Sequence, residues 1–415
     1  MEYSVNRDNN ITVYANALKL AFKQSSSSVA YCAMSIRSGT ADEASRSMGI
    51  AHLTEHMLFK GTERRSASSI NNRLERLGGE LNAYTSKEET VVYSTVLKED
   101  ILKAIDLIFE ILFQSRIAEK ELSKEKQVVA EEINIYKDSP SEYIFDDFEQ
   151  FLFEGNPLSR SILGTVSSLK KIRPEDIREY MKDRFTPSRM VLSVVGDFDL
   201  EKISREVSKI ADKYCPESAP SVAITIPEQF RPVPFAKDVV KKHHQSNVII
   251  GCGAYSLYEE KRIPLVLLIN LLGGPSSNSR LNSEIREKRA LVYNIEASYT
   301  QYSTSGVVTI YFGCERCNVD RCCELVRKEL TKLRETLLSP AALRAAKKQM
   351  VAQMAISSEN GEVQALSIGK STMSYGGYLS DEEVRARIEA VTAEQVREVA
   401  VELFDPKKLS YLIYR

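Results

Sequence analysis

The chain has 415 residues, of which 43% are hydrophobic and 27% charged. That is the composition of a soluble globular protein too long for a single hydrophobic core. Lys+Arg 56 against Asp+Glu 57 leave a formal charge of -1, so electrostatics give no reason to expect nucleic acid or an anionic membrane as a partner. The first ten residues carry neither an apolar core nor an Arg-rich pattern, and no apolar stretch reaches the roughly 20 residues that span a bilayer. A cytoplasmic location is therefore expected.

Residues 29–38 alternate like a strand and 49–59 have helical spacing. A second helix at 70–77 ends at Gly78-Gly79; 90–97 is β-rich, and 101–114 and 123–136 are helical. A short apolar strand at 190–195 closes on Gly196-Asp197. Five of the 13 prolines (Pro216, Pro220, Pro227, Pro232 and Pro234) then fall close together near the midpoint. Such a stretch is read as a linker, 216–235, between domains at 1–215 and 236–415. The second half repeats the alternation: strand 248–251, helices 265–272 and 279–288, strands 297–302 and 306–312, and a helix at 319–333. Both halves thus open with a strand and two helices and return to β-rich sequence. The expected fold is α+β: two similar domains, each an antiparallel-rich sheet packed with helices, from an apparent duplication.

Seven cysteines, an odd number, argue against a disulfide framework. Cys314, Cys317, Cys322 and Cys323 cluster in sequence. Cys322 and Cys323, however, are neighbours in an amphipathic helix and point about 100° apart, a poor arrangement for ligands of one ion. They are read as small apolar fillers.

Two of the four histidines lie in His52-Leu53-Thr54-Glu55-His56, an H-x-x-E-H pentapeptide. On a helix, rings at i and i+4 stand on one face and can hold one metal ion. Glu55 projects from the same face, where it could take a proton from an attacking water. Ile50, Leu53 and Met57 form the separate stripe that suits burial. A catalytic zinc needs a third protein ligand. His243 and His244 are adjacent residues entering a strand and point to opposite sides, so carboxylates are better candidates. Glu125 and Glu132 lie seven residues apart on one helix and share a face, whereas Glu131 points elsewhere. Spacing leaves both as candidates.

The run Gly49-Ile50-Ala51-His52-Leu53-Thr54-Glu55-His56-Met57-Leu58-Phe59-Lys60-Gly61-Thr62 resembles the pitrilysin/insulinase family of zinc peptidases. It is closest to the half-length branch that includes the mitochondrial processing peptidase and its bacterial relatives. The resemblance continues through Gly78-Gly79-Glu80-Leu81-Asn82-Ala83-Tyr84-Thr85, residues 125–138, Asn156-Pro157-Leu158, Ile162-Leu163-Gly164-Thr165 and Val194-Val195-Gly196-Asp197. It implies zinc as cofactor, His52, His56 and Glu132 as ligands, Glu55 as general base and Glu125 as an auxiliary carboxylate. It assigns Asn82, Ala83 and Tyr84 to an edge strand that binds extended substrate by strand addition. Ile285-Arg286-Glu287-Lys288-Arg289-Ala290-Leu291-Val292-Tyr293 resembles the family's arginine–tyrosine motif, with Ala290 standing where glycine is common. Arg286 would then hold substrate, and Tyr293 would hydrogen-bond the reacting carbonyl. The implied activity is zinc-dependent endopeptidase hydrolysis of unfolded or presequence-like peptides inside a chamber closed by four related domains. This chain has two and carries both the zinc motif and the arginine–tyrosine pair, so a homodimer is favoured, with a heterodimer as the alternative. The rival reading is a non-catalytic family-like subunit or a peptide-binding scaffold.

Overall fold

The alternating and β-branched runs become strands of two separate sheets in the computed structural model, which describes residues 3–6, 10–215, 217, 224–241 and 245–415. Seven strands make the first sheet: β1 (Tyr3–Asn6), β2 (Ile11–Tyr14), β3 (Lys19–Gln24), β4 (Val29–Ile36), β5 (Glu80–Thr85), β6 (Thr90–Leu97) and β7 (Met190–Gly196). Five make the second: β8 (Ala236–Val239), β9 (Gln245–Ala254), β10 (Val292–Gln301), β11 (Gly306–Glu315) and β12 (Ser410–Tyr414).

The spatial orders are β1-β2-β3-β7-β4-β6-β5 and β10-β11-β9-β12-β8. Read from the other end, the second sheet runs β8-β12-β9-β11-β10. It repeats the first sheet's order from β3 to β5, strand for strand, including one parallel pair: β3 with β7, and β8 with β12. All other pairings are antiparallel. The duplication expected from the sequence is thus written in the topology. Neither half opens with the single strand expected: β1, β2, β3 and β4 precede the first α-helix of the first half, and β8 and β9 precede that of the second.

Each sheet has its own apolar core. In the first, Leu53 and Met57 belong to a buried cluster with Ile108 and Leu192, all essentially inaccessible. In the second, Val248, Ile250, Leu268, Phe312 and Val326 do the same. Burying one such side chain contributes roughly 1.5–3 kcal/mol, so each sheet carries its own large driving force.

The compact units are not the halves 1–215 and 236–415. One contains Met1–Ile133, Arg160–Thr225 and Ile356–Tyr378; the other contains Asn134–Ser159, Ile226–Ala355 and Leu379–Arg415. Two helices thus fold away from their own half of the sequence. Pro140–Leu152 lies on the second sheet, where the Phe148 ring lies against Gly251 and Tyr414 donates from its hydroxyl to Asp147 at 2.6 Å. Gly361–Tyr375 lies on the first, where the ring of Tyr31 abuts Gly361 so tightly that a Cβ would meet it at 2.2 Å. Of the proposed linker, Pro216 and Pro220 fall outside the described residues, and Pro227, Pro232 and Pro234 lie in neither helix nor strand. The second helix expected at 279–288 is a six-residue π-helical turn, Asn282–Glu287. No helix among the described residues is long and apolar enough to cross a membrane.

Candidate metal centre

The H-x-x-E-H pentapeptide lies in a nine-residue helix, Ile50–Leu58. Its apolar face (Ile50, Leu53, Met57 and Leu58) is buried, which turns the opposite stripe of His52, Glu55 and His56 toward a second helix, Glu119–Lys137. In that second helix the buried positions are Leu122, Glu125, Val129 and Ile133, so Glu125 occupies a place in the apolar stripe. Glu131 is exposed, while Glu132 is half-buried, one heptad after Glu125.

The start of the first helix is tightly built. Gly49 takes φ +88°, and a Cβ there would meet the Leu163 carbonyl at 2.8 Å. Ser168 donates from Oγ to the Met48 carbonyl at 2.7 Å. Glu43 is 5% exposed and accepts from the N–H groups of Gly49 and Ala51. Burial pushes its carboxyl up, while the two N–H donors act in the opposite direction by favouring the ionised form.

His52, His56 and Glu132 converge, with one donor atom from each lying within 4.8 Å of the others. Glu132 Oε2 is 3.8 Å from His52 Nε2 and 3.8 Å from His56 Nε2. Tetrahedral zinc with bonds of about 2.0–2.1 Å puts its donors roughly 3.4 Å apart, a difference that small side-chain rotations close. Two imidazoles and one carboxylate are a donor set that suits zinc and leaves one coordination position for a small ligand.

The protonation states fit the same use. Burial, reinforced by the neighbouring His56, holds the His52 imidazole down at about 4, so it is neutral and able to coordinate at neutral pH. Glu125 accepts from His56 Nδ1 at 3.1 Å, which leaves Nε2 facing Glu132. Carboxylates placed in this way set the tautomer and angle of a ligating ring. Lys60 Nζ holds the other Glu125 oxygen at 2.9 Å. His52 Nδ1 is buried and has no hydrogen-bond partner among the described residues.

Glu55 is half-buried and accepts from Thr85 Oγ1 at 2.6 Å. Burial raises its carboxyl, and the Thr85 bond opposes that rise. A carboxylate raised in this way is a stronger proton acceptor than a solvated one. Thr85 is the last residue of β5, which forms the edge of the first sheet. Along that edge Asn82 is exposed, and Ala83 and Tyr84 are half-buried.

Arg286 and Tyr293 belong to the second unit. Arg286 is exposed on the π-helical turn, and Tyr293, 63% exposed, sits at a register shift of β10. Ala290 between them takes φ +51°, a value that suits glycine. In the second sheet's repeat of the topology, the helix in the place of Ile50–Leu58 is Arg262–Gly273, RIPLVLLINLLG, which has no histidine or carboxylate. His243 and His244 lie outside the described residues. Cys314, Cys322 and Cys323 are buried and Cys317 is exposed. None belongs to a metal-holding group among the described residues.

Sequence reasoning passed over Thr85, Lys60 and Glu43. Lys60 lies two residues beyond the end of the helix Ile50–Leu58, so helical spacing gave no signal for it. Thr85 and Glu43 reach the centre through the chain's path and carry no periodic signal.

Comparison with known proteins agrees with this geometry. A family model described as Insulinase (Peptidase family M16) matches residues 19–166, and one described as Peptidase M16 inactive domain matches residues 171–350. An uncharacterized zinc protease of Bacillus subtilis is 32% identical over 369 residues, covering 89% of this chain and 89% of that protein. The probable mitochondrial-processing peptidase subunit beta of Arabidopsis thaliana is 27% identical over 402 residues, covering 94% of this chain and 75% of that protein. The crystal structure of a protease from Helicobacter pylori shares the fold with a TM-score of 0.87 at 21% identity, covering 100% of this chain and 99% of that one. The chain belongs to the insulinase family of peptidases, family M16.

Proposed function

We propose that the chain is a zinc-dependent endopeptidase that hydrolyses unfolded peptides bound in extended form. The observation that carries this reading is the convergence of His52, His56 and Glu132, with Glu55 on the same helical face. Similar proteins in Bacillus subtilis and Streptomyces coelicolor are named zinc proteases. Zinc at this centre supplies Lewis-acid polarisation of a peptide carbonyl and makes water more acidic.

The chain's own residues do the rest. Glu55 takes the proton of the attacking water and delivers it to the leaving amine, while Thr85 keeps its carboxylate oriented. Glu125 fixes the ring of His56, and Lys60 fixes Glu125. The open edge of β5 offers backbone N–H and C=O groups to an extended peptide, which favours unfolded substrates over folded ones. The roles of Arg286 in holding substrate and of Tyr293 at the reacting carbonyl are proposed on the family resemblance alone. So is the pairing of two such chains.

Glu55→Gln tests the reading. The variant should bind zinc like the wild type and cleave a quenched fluorogenic peptide about 10³-fold more slowly. Wild-type cleavage should vanish with a chelator and return with zinc. Cleavage by the variant at the wild-type rate refutes the assignment.

A further inference from the structure

Glu43 is a buried carboxylate that the proposed chemistry does not use. The helix bearing the histidines begins abruptly at Gly49, which has no side chain to cap it. The first N–H groups of any helix lack an intrahelical acceptor, and serine, threonine or aspartate at the N-cap usually supplies one. Here the acceptor comes from six residues upstream: Glu43 Oε2 lies 2.9 Å from Gly49 N, and Oε1 lies 2.9 Å from Ala51 N. Arg160 anchors the segment carrying Glu43, donating to the carbonyls of Glu43, Ala41 (3.3 Å) and Thr40 (3.5 Å).

The two histidines are held by different means. Glu125 grips the ring of His56, whereas His52 Nδ1 has no hydrogen-bond partner among the described residues. The direction of the His52 ring therefore depends on its backbone and on packing. That backbone lies in the first turn of a nine-residue helix, a length that does not sustain helix by itself and frays from its ends. His52 directly follows Ala51, whose N–H Glu43 holds.

We propose that Glu43 is a positioning residue of the metal centre: by bridging the N–H groups of Gly49 and Ala51, it fixes the first helical turn and thereby aims His52 at the ion. The inference rests on the metal-binding reading above. Glutamine at this position has one acceptor oxygen and turns its amide N–H groups toward the second backbone donor, so it cannot bridge both. Alanine removes both acceptors.

The test is zinc affinity, measured by competition with a chelating dye well below the unfolding temperature, with circular dichroism and unfolding midpoints recorded in parallel. Glu43→Gln should weaken zinc binding about 10-fold, and Glu43→Ala between about 10- and 100-fold, the range found when support of a ligand is lost. Val207→Ala, in the core of the same unit, serves as a control that destabilises the fold while leaving zinc affinity unchanged. Should Glu43→Ala fail to fold, Glu43→Gln decides. Zinc binding by Glu43→Gln within about twofold of the wild type overturns the proposal, as does an equal loss of affinity in Val207→Ala. His52→Ala separates the two readings. If it binds zinc as the wild type does, the metal centre and the role of Glu43 both fall. If it loses zinc while Glu43→Gln does not, only the role of Glu43 falls.

Discussion

Replacing Glu125 by glutamine should lower zinc affinity 10- to 100-fold while the protein stays folded. The carboxylate is 5% exposed and serves two donors, His56 Nδ1 at 3.1 Å and Lys60 Nζ at 2.9 Å. Glutamine keeps one acceptor oxygen, so one of those donors must face an amide N–H. A hydrogen bond to a charged group is worth about 1.5–3 kcal/mol. Lys60 is partly exposed and recovers some of its loss through water. His56 recovers less, because its ring must stay in place for Nε2 to meet the ion. A net cost of about 1.4–2.7 kcal/mol corresponds to the stated range. The assay is competition with a chelating dye at neutral pH, with Lys60→Met measured alongside. That variant removes the cation and leaves Glu125 bonded to His56, so its effect should stay under about threefold. A Glu125→Gln variant that binds zinc as tightly as the wild type would refute the view that Glu125 orients the ligand.

Three further outcomes are expected. Thr85→Val should reduce kcat about 10-fold with little change in KM, since it releases the carboxylate of Glu55. Losing that donor also moves the Glu55 carboxyl further up, so the acid limb of the rate profile should shift to higher pH. Thr85→Ser should restore both, and an unchanged kcat and limb in Thr85→Val would exclude the role. Ala290→Gly should stabilise the protein by roughly 0.5–1 kcal/mol in urea melts, because φ +51° is costly for alanine and free for glycine; a lower midpoint would contradict this. In metal-free protein, His52 is held at about 4 against an ordinary value of 6.5. The unfolded chain therefore binds a proton in that window while the folded one does not, and stability falls as pH drops from 6.5 toward 4. The difference between wild type and His52→Leu across that window should be roughly 3 kcal/mol, and a flat difference would show that His52 is not buried as described.

The edges of the regular elements were legible where apolar residues recur with a clear period. Residues 90–97 and 319–333 read as the strand and helix they are, because each buries one stripe against a core. The helix Pro140–Leu152 was not read at all, and nothing local distinguishes it as a helix that covers the other half's sheet. The exchange of this helix and Gly361–Tyr375 between units is a matter of chain path. Periodicity reports which face of an element is apolar, but not which sheet it will meet.

The pentapeptide determined by itself that two imidazoles and a carboxylate share one helical face, because 3.6 residues per turn leave no other placement for positions i, i+3 and i+4. Helical spacing left open which acid side chain joins them, since Glu125 and Glu132 share a face of their helix, and only the family resemblance pointed to Glu132. The packing of that helix against the first one brings Glu132 to both Nε2 atoms and Glu125 to the far nitrogen of His56, an arrangement spacing does not encode. Other tertiary contacts put Thr85, from β5, on Glu55 and Glu43, from the preceding segment, under the helix start. Such contacts join residues distant along the chain, and helical or strand periodicity encodes only neighbours.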